Sequence, residues 1–287
     1  MAGKLGIIAG GGALPRLLID ACRANGREFH VFALEGQAAG GAVDGVPHDW
    51  FRLGQAGAAL KLAQALDIRE VVLAGSVDRP SFSSLRPDWK TLSFLMRIGR
   101  KGFGDDGLLR RIVEAIEEEG FTVIGADSLL DGIKPAAGCL GRHRPDADAE
   151  ADIERGLSVL AALGAADIGQ AVVVQQGMVL GVEAIEGTDA LLARCGALKR
   201  EGAGGVLVKL AKRNQETRAD LPTVGPETVR RAAAAGLRGI AVGADATIVV
   251  GRDELVRLAD EAGLFVIAVD PIAPDPTAPD PIAGEAE

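Results

Sequence analysis

Leu5-Gly6-Ile7-Ile8-Ala9, followed at once by Gly10-Gly11-Gly12-Ala13-Leu14-Pro15, is the stretch that decides the fold. The apolar run reads as a buried strand, and Leu14, Leu17, Leu18 and Ala21 recur at helical spacing through about Ala24. A strand, a glycine-rich turn and a helix therefore follow one another. Glycines let a backbone approach an anion, and free N–H groups at a helix start favour negative charge, so Gly11, Gly12 and Ala13 are candidate substrate contacts. Packing at a tight turn uses the same residues. The glycines do not spell the spaced dinucleotide fingerprint, and Glu35, after the next apolar run at 29–34, is the nearest acid to a ribose reader.

Working outward, a helical pattern at 55–66 leads into Glu70-Val71-Val72-Leu73-Ala74, a third strand. Gly75-Ser76-Val77-Asp78-Arg79 leaves its C-terminal end, where open α/β sheets bind ligands, which makes Ser76, Asp78 and Arg79 candidates. A helix at 91–98 carries Leu92, Phe94, Leu95, Met96 and Ile98; it is a candidate apolar groove, although such a stripe more commonly packs in a core. Arg97, Arg100 and Lys101 offer phosphate grips or a solvated face, and Asp105 and Asp106 open a helix to about 119 where negative charge is favoured anyway. A strand at 121–125 closes this half. His30 begins a strand, and His48 is expected in a loop.

Strand-then-helix units of this length predict a Rossmann-like parallel sheet with flanking helices over 1–132. Residues 133–145 are rich in Gly, Pro and basic side chains and read as a linker. A C-terminal mixed α/β domain is expected over 146–270. It opens with a helix around 149–163, then a hairpin, 170–175 and 178–183, turning at Gln176-Gly177. Glu186-Gly187-Thr188-Asp189 leads into a helix at 190–197, with Thr188 and Asp189 as caps or as anion or metal contacts. Short strands are expected at 239–242, 247–250 and 264–269, with a helix at 253–262. The Pro-Asp-Pro tail at 271–287 has too little apolar content to order.

The chemistry concentrates in Gln215-Glu216-Thr217-Arg218-Ala219-Asp220-Leu221-Pro222-Thr223-Val224-Gly225, between a β-type run at 205–210 and a helix opening at Pro226. Two carboxylates, two hydroxyls and a guanidinium share one short loop, with Lys209, Lys212 and Arg213 just before it. Carboxylate and hydroxyl oxygens are hard ligands of the kind Mg²⁺ prefers, and an Arg fork pairs with phosphate oxygens. A phosphate ester held with a divalent cation suits this mixture, and so does a solvated loop with a salt bridge.

The 287 residues, 48% hydrophobic and 25% charged, are those of a globular chain long enough for two domains. Tyr 0, Trp 2 and a formal charge of -9 argue against a nucleic-acid surface. Cys22, Cys139 and Cys195 lack metal-ligand spacing and read as free thiols in a reducing compartment. With no membrane-length apolar run and no signal-peptide pattern, a cytoplasmic location is expected.

Five motifs then occur in order: Ile8 to Pro15, Asp105-Asp106-Gly107-Leu108-Leu109-Arg110, Asp167-Ile168-Gly169-Gln170, Glu186 to Asp189, and Gln215 to Gly225. On these the sequence resembles the LpxI family of UDP-2,3-diacylglucosamine pyrophosphatases, as far as Asp270. The resemblance implies a ligand cleft between two domains and Mg²⁺-dependent hydrolysis of the substrate pyrophosphate to UMP and 2,3-diacylglucosamine 1-phosphate (lipid X). It implies that Asp220 is catalytic; by its chemistry Asp220 could bind Mg²⁺ or accept a proton from water, and Glu216 reads as a second metal ligand or a loop salt bridge. Gly11, Gly12, Ala13, Ser76, Arg79, Thr188, Gln215, Thr217, Arg218 and Thr223 are the expected substrate contacts. Partners implied are the lipid nucleotide, lipid X and the inner-membrane surface, with a homodimer left open. The rival readings are an NAD-type oxidoreductase, suggested by the opening strand and turn, and a nucleotide-sugar-binding module without turnover.

Overall fold

The computed structural model describes residues 3–77, 87–98, 105–212 and 215–270. Asp78, Arg79, Arg100, Lys101, Arg213 and the tail at 271–287 lie outside the described residues, as do the side chains of Phe94, Leu95, Arg97, Ile98, Asp105 and Asp106. The chain divides into two compact units. One comprises Met1–Asp131 together with Glu216–Asp220, and the other Gly132–Gln215 together with Leu221 onward.

The first unit contains β1 (Lys4–Ala9), α1 (Leu14–Ala24), β2 (Phe29–Leu34), β3 (His48–Phe51), α2 (Ala56–Ala65), β4 (Ile68–Ala74), α3 (Trp89–Ile98), α4 (Asp105–Glu118) and β5 (Thr122–Val123). Its sheet has the order β3-β2-β1-β4-β5, parallel throughout. The chain grows outward from β1 through β2 to β3, then returns to the opposite side of β1 as β4. That reversal creates a topological switch point at the carboxyl ends of β1 and β4. Leu5, Ile7, Ala9, Val31, Ala33 and Val72 are fully enclosed, as a parallel sheet covered on both faces demands. Helix α1 turns Leu14, Leu18, Ile19 and Cys22 onto this sheet; of the expected apolar face, Leu14 and Leu18 are buried while Leu17 and Ala21 are only half-buried, so the face is rotated toward Ile19 and Cys22.

Two local expectations need correction here. His48 belongs to β3 and not to a loop. The segment His48-Asp49-Trp50-Phe51 pairs with Val31 to Leu34 as an edge strand, half exposed, so it lacks the apolar run by which a buried strand is recognised. Asp49 Oδ2 lies 2.8 Å from His30 Nε2, and Phe51 stacks on Phe32 at 5.7 Å. The second correction concerns α3: of the stripe's described side chains, Leu92 and Met96 stand exposed and do not pack in a core, and Trp89, one turn before Leu92, is 77% exposed.

The second unit contains β6 (Gly138–Cys139), α5 (Ala147–Ala165), β7 (Ala171–Gln175), β8 (Met178–Val182), α6 (Gly187–Gly196), β9 (Val206–Lys209), β10 (Thr223–Val224), α7 (Pro226–Ala234), β11 (Gly239–Gly243), β12 (Ile248–Val249), α8 (Arg252–Ala262) and β13 (Phe265–Val269). Six strands form a mixed sheet in the order β6-β13-β11-β9-β7-β8, with β13, β11 and β9 parallel and β6 and β7 antiparallel to their neighbours. Strand alternation sorts the core into two layers. Val172, Val174, Val206 and Val208 meet Ile153, Leu157 and Leu160 of α5. Ala171, Val173, Leu207 and Ile240 face the other way, against Leu191, Leu192, Val229 and Leu255 of α6, α7 and α8. Each fully buried Leu or Val contributes about 1.5–3 kcal/mol relative to exposure.

Asp146 caps α5 by accepting the Ala149 N–H at 2.9 Å. The hairpin forms as its sequence predicts, with Gln176 and Gly177 at φ of 54° and 71°, the double left-handed geometry of a type I′ turn. Strands β10 and β12 form a separate parallel pair, reinforced by Ile248 N–H donating to the Pro222 carbonyl at 2.8 Å. Both β6 and β10 are two residues long, below the length at which an apolar pattern announces a strand.

Candidate functional site

At the switch point of the first unit the turn after β1 is bound to the turn after β4. Gly11 N–H donates to the Ser76 carbonyl at 2.7 Å, and Ser76 N–H donates back to the Gly11 carbonyl at 3.1 Å. A Cβ on Gly75, at φ of +89°, would lie 2.1 Å from the Gly11 carbonyl oxygen, and one on Gly10 2.4 Å from that of Ser76. Backbone pairing therefore accounts for Gly10 and Gly75. Gly12 differs: it is exposed at φ of +83° with nothing within 4 Å of a Cβ position, directly before α1, which has no side-chain cap. Of the glycines here, Gly12 is the one whose surroundings leave room for a ligand, with exposed Ala13 and Ser76 as neighbours.

The charged loop contributes its middle to the first unit. Between Glu216 and Asp220 the chain makes one tight turn, Ala219 and Asp220 N–H both donating to the Glu216 carbonyl at 3.0 and 2.9 Å. Arg218 forks onto Glu216, with Nε 2.8 Å from Oε1 and Nη2 2.9 Å from Oε2, and its Nη1 reaches Glu117 Oε1 of α4 at 2.7 Å. This guanidinium holds the Glu216 carboxyl below the usual carboxylate range, while the two carboxylates push Arg218 further up. Both oxygens of Glu216 are thus occupied. Asp220 and Arg218 are half-buried and Thr217 is exposed.

The flanks of the same loop belong to the second unit. Gln215 is buried; its Oε1 accepts the Lys212 N–H at 2.8 Å, and its own N–H returns to the Lys212 carbonyl at 3.2 Å. Lys212 points inward. Its side chain is 3% exposed and its Nζ lies 2.6 Å from Asp167 Oδ1. Thr223 lies in β10, its hydroxyl 3.2 Å from the Leu221 carbonyl.

Beside that anchor, at the carboxyl end of β9, lies a second polar chain. Lys209 Nζ is 2.6 Å from Thr188 Oγ1, which is 2.6 Å from Glu183 Oε1, and Glu183 Oε2 accepts the Gln170 N–H at 3.0 Å. Helix α6 starts at Gly187, earlier than its apolar spacing suggests, so Thr188 sits in the first turn and makes no capping bond. The capping reading of Thr188 is corrected accordingly: its hydroxyl serves Glu183 and Lys209. Sequence reasoning passed over Glu183 and Asp167. Asp167 sits at φ of 55°, a conformation that Asp tolerates better than most residues, and the Asp167-Ile168-Gly169-Gln170 motif was the available signal.

Gly11, Gly12, Ala13 and Ser76 thus share one edge of the first unit, and Glu216, Thr217, Arg218 and Asp220 belong to the same unit. Thr188, Gln215 and Thr223 lie in the second. Among the described residues no group of three or more His, Cys, Asp or Glu side chains converges as a metal site, and no helix is long and apolar enough to cross a membrane.

The LpxI N-terminal domain model matches residues 4–133 and the LpxI C-terminal domain model residues 136–267. The UDP-2,3-diacylglucosamine pyrophosphatase LpxI of Caulobacter vibrioides (strain ATCC 19089 / CIP 103742 / CB 15) is 44% identical over 277 residues, 93% of this chain and 98% of that protein. A Thermus thermophilus UDP-glucose 4-epimerase complex with NAD aligns over 93% of this chain and 86% of its own at 13% identity and a TM-score of 0.32, too low to inform fold or ligand. With both domains matched in order and the identity running almost end to end, this chain belongs to the LpxI family.

Proposed function

We propose that the chain is a hydrolase that cleaves the pyrophosphate bond of UDP-2,3-diacylglucosamine, giving UMP and 2,3-diacylglucosamine 1-phosphate (lipid X) in lipid A biosynthesis. The observation that carries this reading is the 44% identity, over 98% of its length, to a relative bearing that activity in its name. In the reaction the oxygen of water bonds to the β-phosphorus, and the bridging oxygen leaves with its electron pair on UMP. The proton lost by water passes to a base, and Asp220 is assigned that role or that of a metal-binding oxygen. Asp220 is half-buried at the end of the tight turn fixed by the Glu216 carbonyl.

Mg²⁺ is part of the proposal. The residues fit a cation held largely by substrate phosphates with one protein carboxylate, which is how Mg²⁺ is commonly bound. Asp220 would supply that oxygen, and Glu216 would join by releasing Arg218. When bound, the ion would neutralise charge on the non-bridging phosphate oxygens. Arg218 is assigned first to fixing the loop through Glu216 and Glu117; gripping phosphate would require it to exchange one carboxylate for the ligand. Trp89, Leu92 and Met96, exposed at helical spacing on α3, support an apolar surface for acyl chains at the cytoplasmic face of the inner membrane.

Incubation with UDP-2,3-diacylglucosamine and Mg²⁺ in ¹⁸O-labelled water tests the whole reading. The expected result is chelator-sensitive UMP release, with the label in the sugar phosphate. Asp220→Ala should lower turnover about 10²–10⁴-fold. No UMP release by the parent protein would overturn the reading, and equal rates from the variant would remove Asp220 from it.

A further inference from the structure

The hydrogen-bond directions in the second unit determine which group can meet an anion. An ammonium only donates and a carboxylate only accepts, so Thr188 Oγ1 must accept from Lys209 and give its own proton to Glu183. Thr188 then has no proton left for a phosphate oxygen. Glu183 is satisfied on both oxygens, by Thr188 and by the Gln170 N–H. Lys209 is in the opposite condition. One of its three donors is used, and the ammonium, half-buried at the carboxyl end of β9, meets no other acceptor among the described residues. Such unspent donors are costly away from water unless an anion or solvent meets them. Strands β9, β11 and β13 run parallel, so Lys209 stands at the edge where open α/β sheets receive ligands.

We infer that Lys209 is a phosphate ligand for the substrate, and that Thr188, with Glu183 behind it, is a positioning residue that aims the ammonium. This rests on the nucleotide-pyrophosphatase reading above and reassigns the anion contact from Thr188 to Lys209. Lys212, from the same stretch of chain, is excluded from the role because Asp167 holds it inside the unit.

The test combines steady-state kinetics on UDP-2,3-diacylglucosamine with calorimetric titration of UDP, using proteins whose melting temperatures are first shown to match the parent. Lys209→Met should raise KM and weaken UDP binding by about tenfold or more, the scale of one charge-assisted hydrogen bond. Lys209→Arg should recover part of the loss. Thr188→Val should raise KM with kcat nearly unchanged, and Thr188→Ser, which keeps the hydroxyl, should restore it. If Lys209→Met does not fold, Thr188→Val against Thr188→Ser decides. Unchanged KM and UDP affinity in Lys209→Met, or equal values for the valine and serine variants, would overturn the inference. A parent that binds UDP but does not hydrolyse the lipid nucleotide would defeat the pyrophosphatase reading alone, and the titration would still decide the role of Lys209.

Discussion

The two sheets carry polar machinery of opposite kinds at their carboxyl edges. In the first unit the turns after β1 and β4 are joined by main-chain hydrogen bonds, with glycines where a Cβ would strike a carbonyl. In the second, side chains do the joining: Lys212 to Asp167, and Lys209 through Thr188 to Glu183. A glycine-rich turn is conspicuous in a sequence but ambiguous in meaning, because backbone pairing and anion binding select the same residue. An ionic network is chemically unambiguous yet hard to see beforehand, since its members come from distant points of the chain.

Four substitutions would break or sharpen that contrast. Gly75→Ala should cost the most, about 3 kcal/mol in urea denaturation, because a left-handed residue and a backbone clash coincide. Asp167→Asn should follow at about 2 kcal/mol. It keeps a residue that tolerates positive φ but leaves the buried Lys212 short of its counter-charge, and the value is below that of a fully buried pair because Asp167 is a third exposed. Gly12→Ala should cost only about 1 kcal/mol, the left-handed backbone term alone, since its Cβ meets open space. A loss at Gly12 equal to that at Gly75 would erase the distinction between paired and open glycines.

The smallest effect expected is a pH dependence. Arg218 lowers the Glu216 carboxyl in the folded state, so the pair's contribution is fully present above the ordinary carboxylate range of about 4.3 and is lost as pH falls through the depressed folded value. Glu216→Gln should therefore flatten the fall in stability as pH drops below the ordinary carboxylate range. A parallel curve for the variant would show that the fork contributes nothing to stability.

Much of the fold was legible because its central strands are continuous apolar runs. The segments around Leu5, Phe29, Val71, Val172 and Leu207 became β1, β2, β4, β7 and β9, and Gln176-Gly177 gave the hairpin turn. The misses were elements whose stability comes from a neighbour rather than from their own pattern. Strand β3 is a half-exposed edge held by β2, and β6 and β10 consist of two residues each. For the site, residue types in the charged loop pointed to phosphate chemistry, but which charges were already paired could not be read locally. Arg218 is forked onto two carboxylates and Lys212 is turned inward, while Lys209, which preceded the loop without distinction, keeps donors to offer. The likeness to a dinucleotide-binding strand and turn has a similar explanation: parallel topology and an acid after β2 are present, but the spaced glycine fingerprint is not.

The first unit is discontinuous in sequence, and this has a consequence for synthesis. Glu117 and Arg218 are separated by 101 positions, so at ribosomal rates Glu117 is made about 5–20 s before its partner. Until then the sheet of β1 to β5 lacks the segment that completes it, and a released fragment ending near Asp131 should be more sensitive to protease than the full chain.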